Sequence, residues 1–354
     1  MVSSADSLPL DEALPLLETH AGAADAEAVW PAASWDALRR SGVLGWIIPR
    51  EYGGAGLDPL DLLEGYQRLA GACLTTCFLL SQRDSACRRL RDGGNEMLCR
   101  LLLPALASGE RFATVGLAQL TTSRQHVRPV LVAQLDDGGV RLNGVMPWVT
   151  GAPHADHFLT GVMLEDGRQM LLVVPRDTPG LSVGPPMELM ALQGSLTAEV
   201  RCEEVRLDRQ WVLAGPAERV LAGGRGAGGL ETSGLALGLA KSAIAYLDKE
   251  ANKRTEWRAR TTACAESWDI LQGQLRQLVR EGADAQAASN LRAKVNALVL
   301  STTQFALAAG KGSGFLRTHP AQRWARQALF FLVWSCPAPA LDATLACMAL
   351  PSEE

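Results

Sequence analysis

Glu231 stands seven residues before Gly238 in the run LETSGLALG, in the first turn of an expected helix. A carboxylate there can act as a general base if burial raises its affinity for a proton. It can equally do no more than favour the positive end of the helix dipole, and both readings stay open at this point. In GKGSG (310–314) the glycines Gly310, Gly312 and Gly314 would let backbone amides approach an anion closely, or would form a helix C-cap and turn. Arg254, Arg258 and Arg260, in NKRTEWRARTTACAE, can grip a pyrophosphate or stand as solvated surface charges. Ser335, in LVWSCPAPA, carries a hydroxyl that cannot serve as a base unaided. Cys73 and Cys77 would share a helix face, and His154 and His157 flank Asp156, but neither group has the further ligands that zinc requires, so no metal site is expected.

These side chains need a scaffold, and the composition bounds it. The chain has 354 residues, with 34 Lys plus Arg against 38 Asp plus Glu and a formal charge of −4. No polyelectrolyte character follows, and nucleic acid is not an expected partner. Hydrophobic residues at 47% and charged residues at 20% predict sizeable cores and rule out disorder for most of the chain. Eight cysteines (73, 77, 87, 99, 202, 264, 336 and 347) lie mostly in apolar runs without a repeated short spacing, which predicts buried free thiols in a reducing compartment. The opening MVSSADSLPLDEALP lacks the basic and apolar regions of a signal peptide, and no stretch of about 18 uncharged apolar residues follows. A cytoplasmic protein without membrane association is expected.

Hydrophobic periodicity divides the chain in three. Residues 1–112 read as a helical domain: Leu10, Leu14 and Leu17 form one stripe, with Pro15 limiting where that helix can start. Trp35, Leu38 and Leu44 form another, and Leu57 to Leu69 a third that opens on Asp58-Pro59. Helix is expected again from Leu74 to Leu103, closed by Pro104 with Gly109. Residues 113–218 change to period two, in short Val- and Leu-rich runs at 130–135, 140–142, 157–164, 170–174 and 199–207, as in an antiparallel barrel or sandwich. Over 219–354 the helical period returns after a Gly-rich connector, in four runs long enough for an antiparallel four-helix bundle.

Four segments in this order resemble the acyl-CoA dehydrogenase family: GVLGWIIPREYGGAGLDPLD (42–61), LNGVMPWVTGAPHADHFL (142–159), LQGSLTAEVRCEEVRL (192–207) and AAGKGSGFLRTHPAQRWARQA (308–328). The resemblance implies an α+β multidomain fold of N-terminal helical domain, central antiparallel β-barrel and C-terminal four-helix bundle. It implies FAD between barrel and bundle, an acyl thioester over the flavin, and a carboxylate that removes the proton alpha to the carbonyl.

Carried over residue by residue, Trp148 and Thr150 match the family's Trp-x-Thr, where a Trp covers the flavin ring and a Thr hydroxyl hydrogen-bonds the ring nitrogen that receives hydride. The flavin-contacting loop is less faithful. In GLAQLTTSRQH (116–126) Ser123 alone falls on a matching position, and Arg124 replaces the usual Asp. Arg254 and Arg258 keep charge near the family's FAD-phosphate arginine, although its Phe-Gly turn is missing, and Gly310, Gly312 and Gly314 match the C-terminal Gly-rich turn. Ser335 occupies the usual Glu slot. Glu231 agrees with the position at which a minority of the family carries the base, which implies Glu231 as the catalytic residue.

The resemblance implies alpha,beta-dehydrogenation of an apolar acyl thioester, with acyl-CoA as the expected substrate and an electron-transfer protein as a possible partner. Leu74, Cys77, Phe78, Leu79 and Leu80 would line the acyl cavity, and Arg83, Arg88 and Arg124 are the basic residues available for the carrier's phosphates. A flavin-dependent monooxygenase on the same scaffold and a flavin-free binding or scaffold subunit are the competing expectations. Leu291, Val295, Leu298, Phe305, Phe330, Phe331 and Trp334 offer more apolar surface than one bundle seam needs, which predicts a homodimer or homotetramer.

Overall fold

The computed structural model describes residues 8–121, 130–221, 230–282, 284–336 and 338–348. Ser123 and Arg124 lie outside the described residues, as does the Gly-rich connector from 222 to 229.

Helices come first: α1 (Leu10–Ala26), α2 (Ala32–Arg40), α3 (Pro59–Ala72), α4 (Leu74–Asp92) and α5 (Glu96–Ser108). The α3 start follows from its sequence, because the Asp58 carboxylate accepts from the Leu60 and Asp61 amides at 2.9 and 3.1 Å and Pro59 has no amide to leave unpaired. Two expectations about proline are corrected. α1 begins before Pro15 and runs through it, and α5 runs through Pro104. The helical run from 74 to 103 breaks instead at Gly93-Gly94, where Gly94 takes φ +82° and the Asn95 side chain caps α5 by accepting from the Leu98 amide at 3.1 Å. Gly109, at φ +76°, is what ends α5.

The middle elements are β1 (Ala113–Gly116), α6 (Ala118–Thr121), β2 (Leu131–Asp136), β3 (Gly139–Val149), β4 (His157–Leu164), β5 (Gln169–Pro175), β6 (Leu181–Val183), β7 (Ala198–Leu207) and β8 (Val212–Ala217). The strand order is β6-β7-β3-β2-β4-β5-β8, with β1 paired to β4 outside that path. The β layer lies where it was expected, but its sheet is open rather than a closed barrel, and it is mixed: β1 and β2 each pair with β4 in parallel. Edge strand β6 is only three residues long, which limits the unpaired backbone that it presents. β4 is covered on both sides, since Phe158 and Val162 belong to the core under the sheet while Leu159 belongs to the core shared with the helices.

The last elements are α7 (Leu230–Ala251), α8 (Arg258–Glu281), α9 (Ala285–Ala309), α10 (Lys311–Gly314), α11 (Pro320–Phe330) and α12 (Ala338–Met348). The glycines of LETSGLALG are needed for packing: a Cβ on Gly238 would stand 2.3 Å from the Gln67 carbonyl oxygen, and one on Gly234 2.5 Å from Leu63. α7 therefore lies flush against α3. A reciprocal amide pair between Gln67 and Gln272, at 2.6 and 3.0 Å, ties α3 to α8 in the same buried layer. α12, which the periodicity does not predict, packs on α9.

That extra helix corrects the apolar-surplus argument. Leu291, Val295, Leu298 and Phe331 are buried within the subunit, and Phe305, Phe330 and Trp334 pack against the same core. Among the described residues the thiols are free and mostly buried, and burial pushes Cys87 up to about 11 and Cys202 up to about 12, so both remain protonated. Among the described residues no helix is long and apolar enough to cross a membrane, and no group of three His, Cys, Asp or Glu could hold a metal ion.

Candidate functional site

Glu231 opens α7, and its carboxylate faces α4. Arg88, near the end of α4, meets it as a fork: Nη1 donates to Oε1 and Nη2 to Oε2, the latter at 2.7 Å. Both side chains are partly accessible, at 20% for Arg88 and 29% for Glu231. A bidentate guanidinium–carboxylate contact fixes the carboxylate plane as well as its charge. The dipole reading alone does not describe this residue, since Glu231 has a dedicated partner on another helix.

Behind Arg88, α4 carries a buried polar cluster. Tyr66 of α3 donates to Asp84 Oδ2 at 2.5 Å, Arg83 Nη1 donates to Asp84 Oδ1 at 2.5 Å, and Arg83 Nη2 donates to the Leu106 carbonyl of α5. All three side chains are fully buried. Burial first, and the Asp84 charge second, push the Tyr66 phenol well above its ordinary range, which keeps it protonated and donating. Arg83 and Arg88 are thus both engaged with carboxylates in this structure rather than free for a carrier's phosphates. Leu74, Cys77, Phe78, Leu79 and Leu80 are buried in packed contacts, Phe78 edge-on to Phe330 and Trp334 at 4.9 Å each.

On the sheet, β3 presents Trp148 outward and 56% exposed between buried Met146 and Val149, as strand alternation with a local irregularity places it. Thr150 is buried just beyond the strand. Its carbonyl accepts from the Thr114 hydroxyl at 2.7 Å, and its own hydroxyl lies 3.4 Å from that of Thr197, which in turn lies 3.0 Å from that of Ser195. This row of hydroxyls was missed in the sequence, although Ser195 and Thr197 lie inside the segment 192–207.

The C-terminal candidates separate. Arg254 is engaged within its own domain: Nη1 donates to the Ala309 carbonyl at 2.9 Å and the guanidinium lies 4.5 Å from the Trp257 ring. Arg258 is exposed at the start of α8. Gly310 and Gly314 are required by close packing, because a Cβ on Gly310 would be 2.7 Å from Gly314 Cα and one on Gly314 2.7 Å from the Leu307 carbonyl oxygen. Gly312 faces open space, and Phe315 after it is 81% exposed. His319 caps α11 by accepting from the Ala321 amide at 3.2 Å, as its place before Pro320 predicts.

Ser335 is exposed at φ +46°. The turn before it is pinned from below by buried Arg292, whose Nη2 donates to the Phe331 and Trp334 carbonyls at 3.0 and 3.1 Å. His154 stacks on Trp30 at 4.4 Å and His157 lies 6.0 Å from Trp211, and burial holds both imidazoles below their usual range.

Comparison with known proteins gives a consistent set of matches. The acyl-CoA dehydrogenase N-terminal domain profile matches residues 14–110 and the acyl-CoA dehydrogenase middle domain profile residues 120–205, together more than half of the chain. A probable acyl-CoA dehydrogenase of Bacillus subtilis is 27% identical over 237 residues, covering 64% of this chain and 61% of the relative. The amino sugar nitrososynthase RubN8 of Streptomyces rubradiris is 31% identical over 249 residues, covering 67% of this chain and 55% of the relative. The match to these two thus spans less than two thirds of their length. The solved butyryl-CoA dehydrogenase of Megasphaera elsdenii superposes with a TM-score of 0.83 over 98% of this chain and 99% of that one, at 18% identity, which is a likeness of fold.

Proposed function

We propose, from the premise that this chain belongs to the acyl-CoA dehydrogenase family, that it is an FAD-dependent oxidoreductase which removes hydrogen from the α and β carbons of an apolar acyl thioester. Its domains are then residues 1–112, 113–218 and 219–354. The observation that carries this reading is the partly buried Glu231 carboxylate, presented by the first turn of α7 and oriented by a guanidinium from α4.

The residues present suit a planar aromatic cofactor. Trp148 leaves an indole in water beside Thr150, and the open Gly312 with exposed Phe315 offers backbone and a second ring. FAD, when bound, supplies the hydride acceptor. On this reading Trp148 would cover the flavin ring, the Thr150 hydroxyl would hydrogen-bond it, and Ser123, Arg254, Arg258, Gly310, Gly312 and Gly314 would hold the remainder. Glu231 accepts the α proton at a carboxylate oxygen, on a lone pair that the Arg88 fork leaves open. Acyl-CoA is the substrate, and a separate electron-transfer protein takes up the electrons.

A second reading, oxygenation of a small molecule by the same scaffold, is favoured by the 31% identity to an amino sugar nitrososynthase. One experiment separates the readings. Purified protein should hold FAD at near-stoichiometric occupancy and bleach on anaerobic addition of an acyl-CoA from a short-to-long panel. Bleaching only with an external reductase, and product only with oxygen, would favour oxygenation. Colourless protein that takes up no added FAD would overturn both.

The assembly is a homodimer or homotetramer on this reading. A groove across α8 and α9, lined by Ile270, Leu271, Leu298 and Leu300 with Lys294 and Gln304, leaves Ile270 61% exposed. Light scattering should give a multiple of 37.8 kDa, and a monomer at micromolar concentration would refute the assembly.

A further inference from the structure

Among the described residues Glu231 is ion-paired with Arg88, and several charged groups on α3, α4 and α7 are held by other partners, Asp92 by Arg91 among them. Asp84, one turn before Arg88 on α4, could have taken that guanidinium, but both of its oxygens are held by Tyr66 and Arg83. On α3, Glu64 is paired with Arg276 of α8 at 2.8 Å. On α7, Lys241 lies over the Trp268 ring at 4.0 Å. Arg89 stands beside Arg88 with its Nε buried and without a hydrogen-bond partner among the described residues, and burial together with the Arg88 charge disfavours its cationic form. The α4 terminus thus brings the Arg88 guanidinium to the start of α7, where Glu231 supplies the compensating carboxylate.

We infer that Arg88 is the positioning residue for Glu231: its fork sets the orientation of the carboxylate and the pH at which Glu231 gains a proton. This rests on the reading of Glu231 as the base, but it has a consequence that is independent of flavin. An opposite charge in contact stabilises the ionised form of a carboxylate, by about 1–3 pH units in its titration midpoint. Removing Arg88 therefore moves the Glu231 midpoint upward, and the acid limb of the reduction rate moves upward with it, because the base is protonated over a wider range. Lysine at this position keeps the charge but loses the fork, so Arg88→Lys should restore the midpoint and leave a lower rate.

The test is a carboxyl-carbon NMR titration of glutamate-labelled protein, as isolated, with the Glu231 signal assigned by its loss in Glu231→Gln. Arg88→Gln is expected to raise the midpoint by about 1–3 units, and Arg88→Lys to leave it near the native value. The acid limb of flavin reduction by acyl-CoA should shift by the same amount. An unchanged midpoint in Arg88→Gln overturns the proposal even if Glu231→Gln abolishes reduction. A raised midpoint with a normal reduction rate in Glu231→Gln overturns the base reading instead, and with it any positioning role for Arg88 in catalysis. If Arg88→Gln fails to fold, Arg88→Lys decides: a rate and an acid limb both indistinguishable from native would show that the fork has no part in orienting the carboxylate.

Discussion

Glu231→Gln is expected to lower the rate of flavin reduction by acyl-CoA roughly 100-fold or more, the scale of losing a general base, while FAD and acyl-CoA still bind. Glutamine keeps the volume and can still accept a hydrogen bond from Arg88, so the α4–α7 contact persists and the loss is chemical. Ser335→Ala should change the rate little. Ser335 lies exposed on a turn that buried Arg292 holds from beneath through the Phe331 and Trp334 carbonyls, and a serine hydroxyl cannot serve as this base unaided. Stopped-flow reduction of the two variants, side by side, checks the pair. An unchanged Glu231→Gln rate would move the base elsewhere and remove the main support for the dehydrogenase reading.

The layout was legible because each layer has its own period. Helical stripes gave way to two-residue alternation near residue 113 and returned near 230, and α3 was marked by its Asp58-Pro59 start. What was misread has local causes. Pro15 and Pro104 were given the weight of breaks, yet each falls inside a helix whose buried face outweighs one missing backbone bond. The Gly93-Gly94-Asn95 turn is the stronger signal, with Gly94 at positive φ and Asn95 as the cap. β1 and β6, of four and three residues, are too short for periodicity to register, and the parallel pairings with β4 join residues far apart in sequence. At the candidate site Glu231 is proposed from its register and Trp148 from its motif. The partnership of Glu231 with Arg88 spans 143 positions, and no spacing rule reaches across it. Arg254 was read as a free cation because nothing in its neighbourhood announces the Ala309 carbonyl 55 residues later.

Asp84→Ala is expected to cost about 3–5 kcal/mol of folding stability, the scale of leaving one partner of a buried ion pair uncompensated. The substitution would strand Arg83, which is fully buried and among the described residues keeps the Leu106 carbonyl as its partner, and would deprive the buried Tyr66 hydroxyl of its acceptor. Two controls separate these terms. Tyr66→Phe removes one hydrogen bond to a charged group and should cost about 1.5–3 kcal/mol. Replacing both charges at once, as Arg83→Met with Asp84→Leu, should cost much less than Asp84→Ala, since an apolar pair needs no compensation in that setting. Urea unfolding of the four proteins measures the set, and a cost below about 1 kcal/mol for Asp84→Ala would mean that water reaches Arg83 and that the cluster is not the sealed support of α4 described above. The consequence reaches the candidate site, because Arg88 is one helical turn from Asp84. A loosened α4 should weaken the grip on Glu231 and slow reduction even in the Asp84→Ala molecules that remain folded.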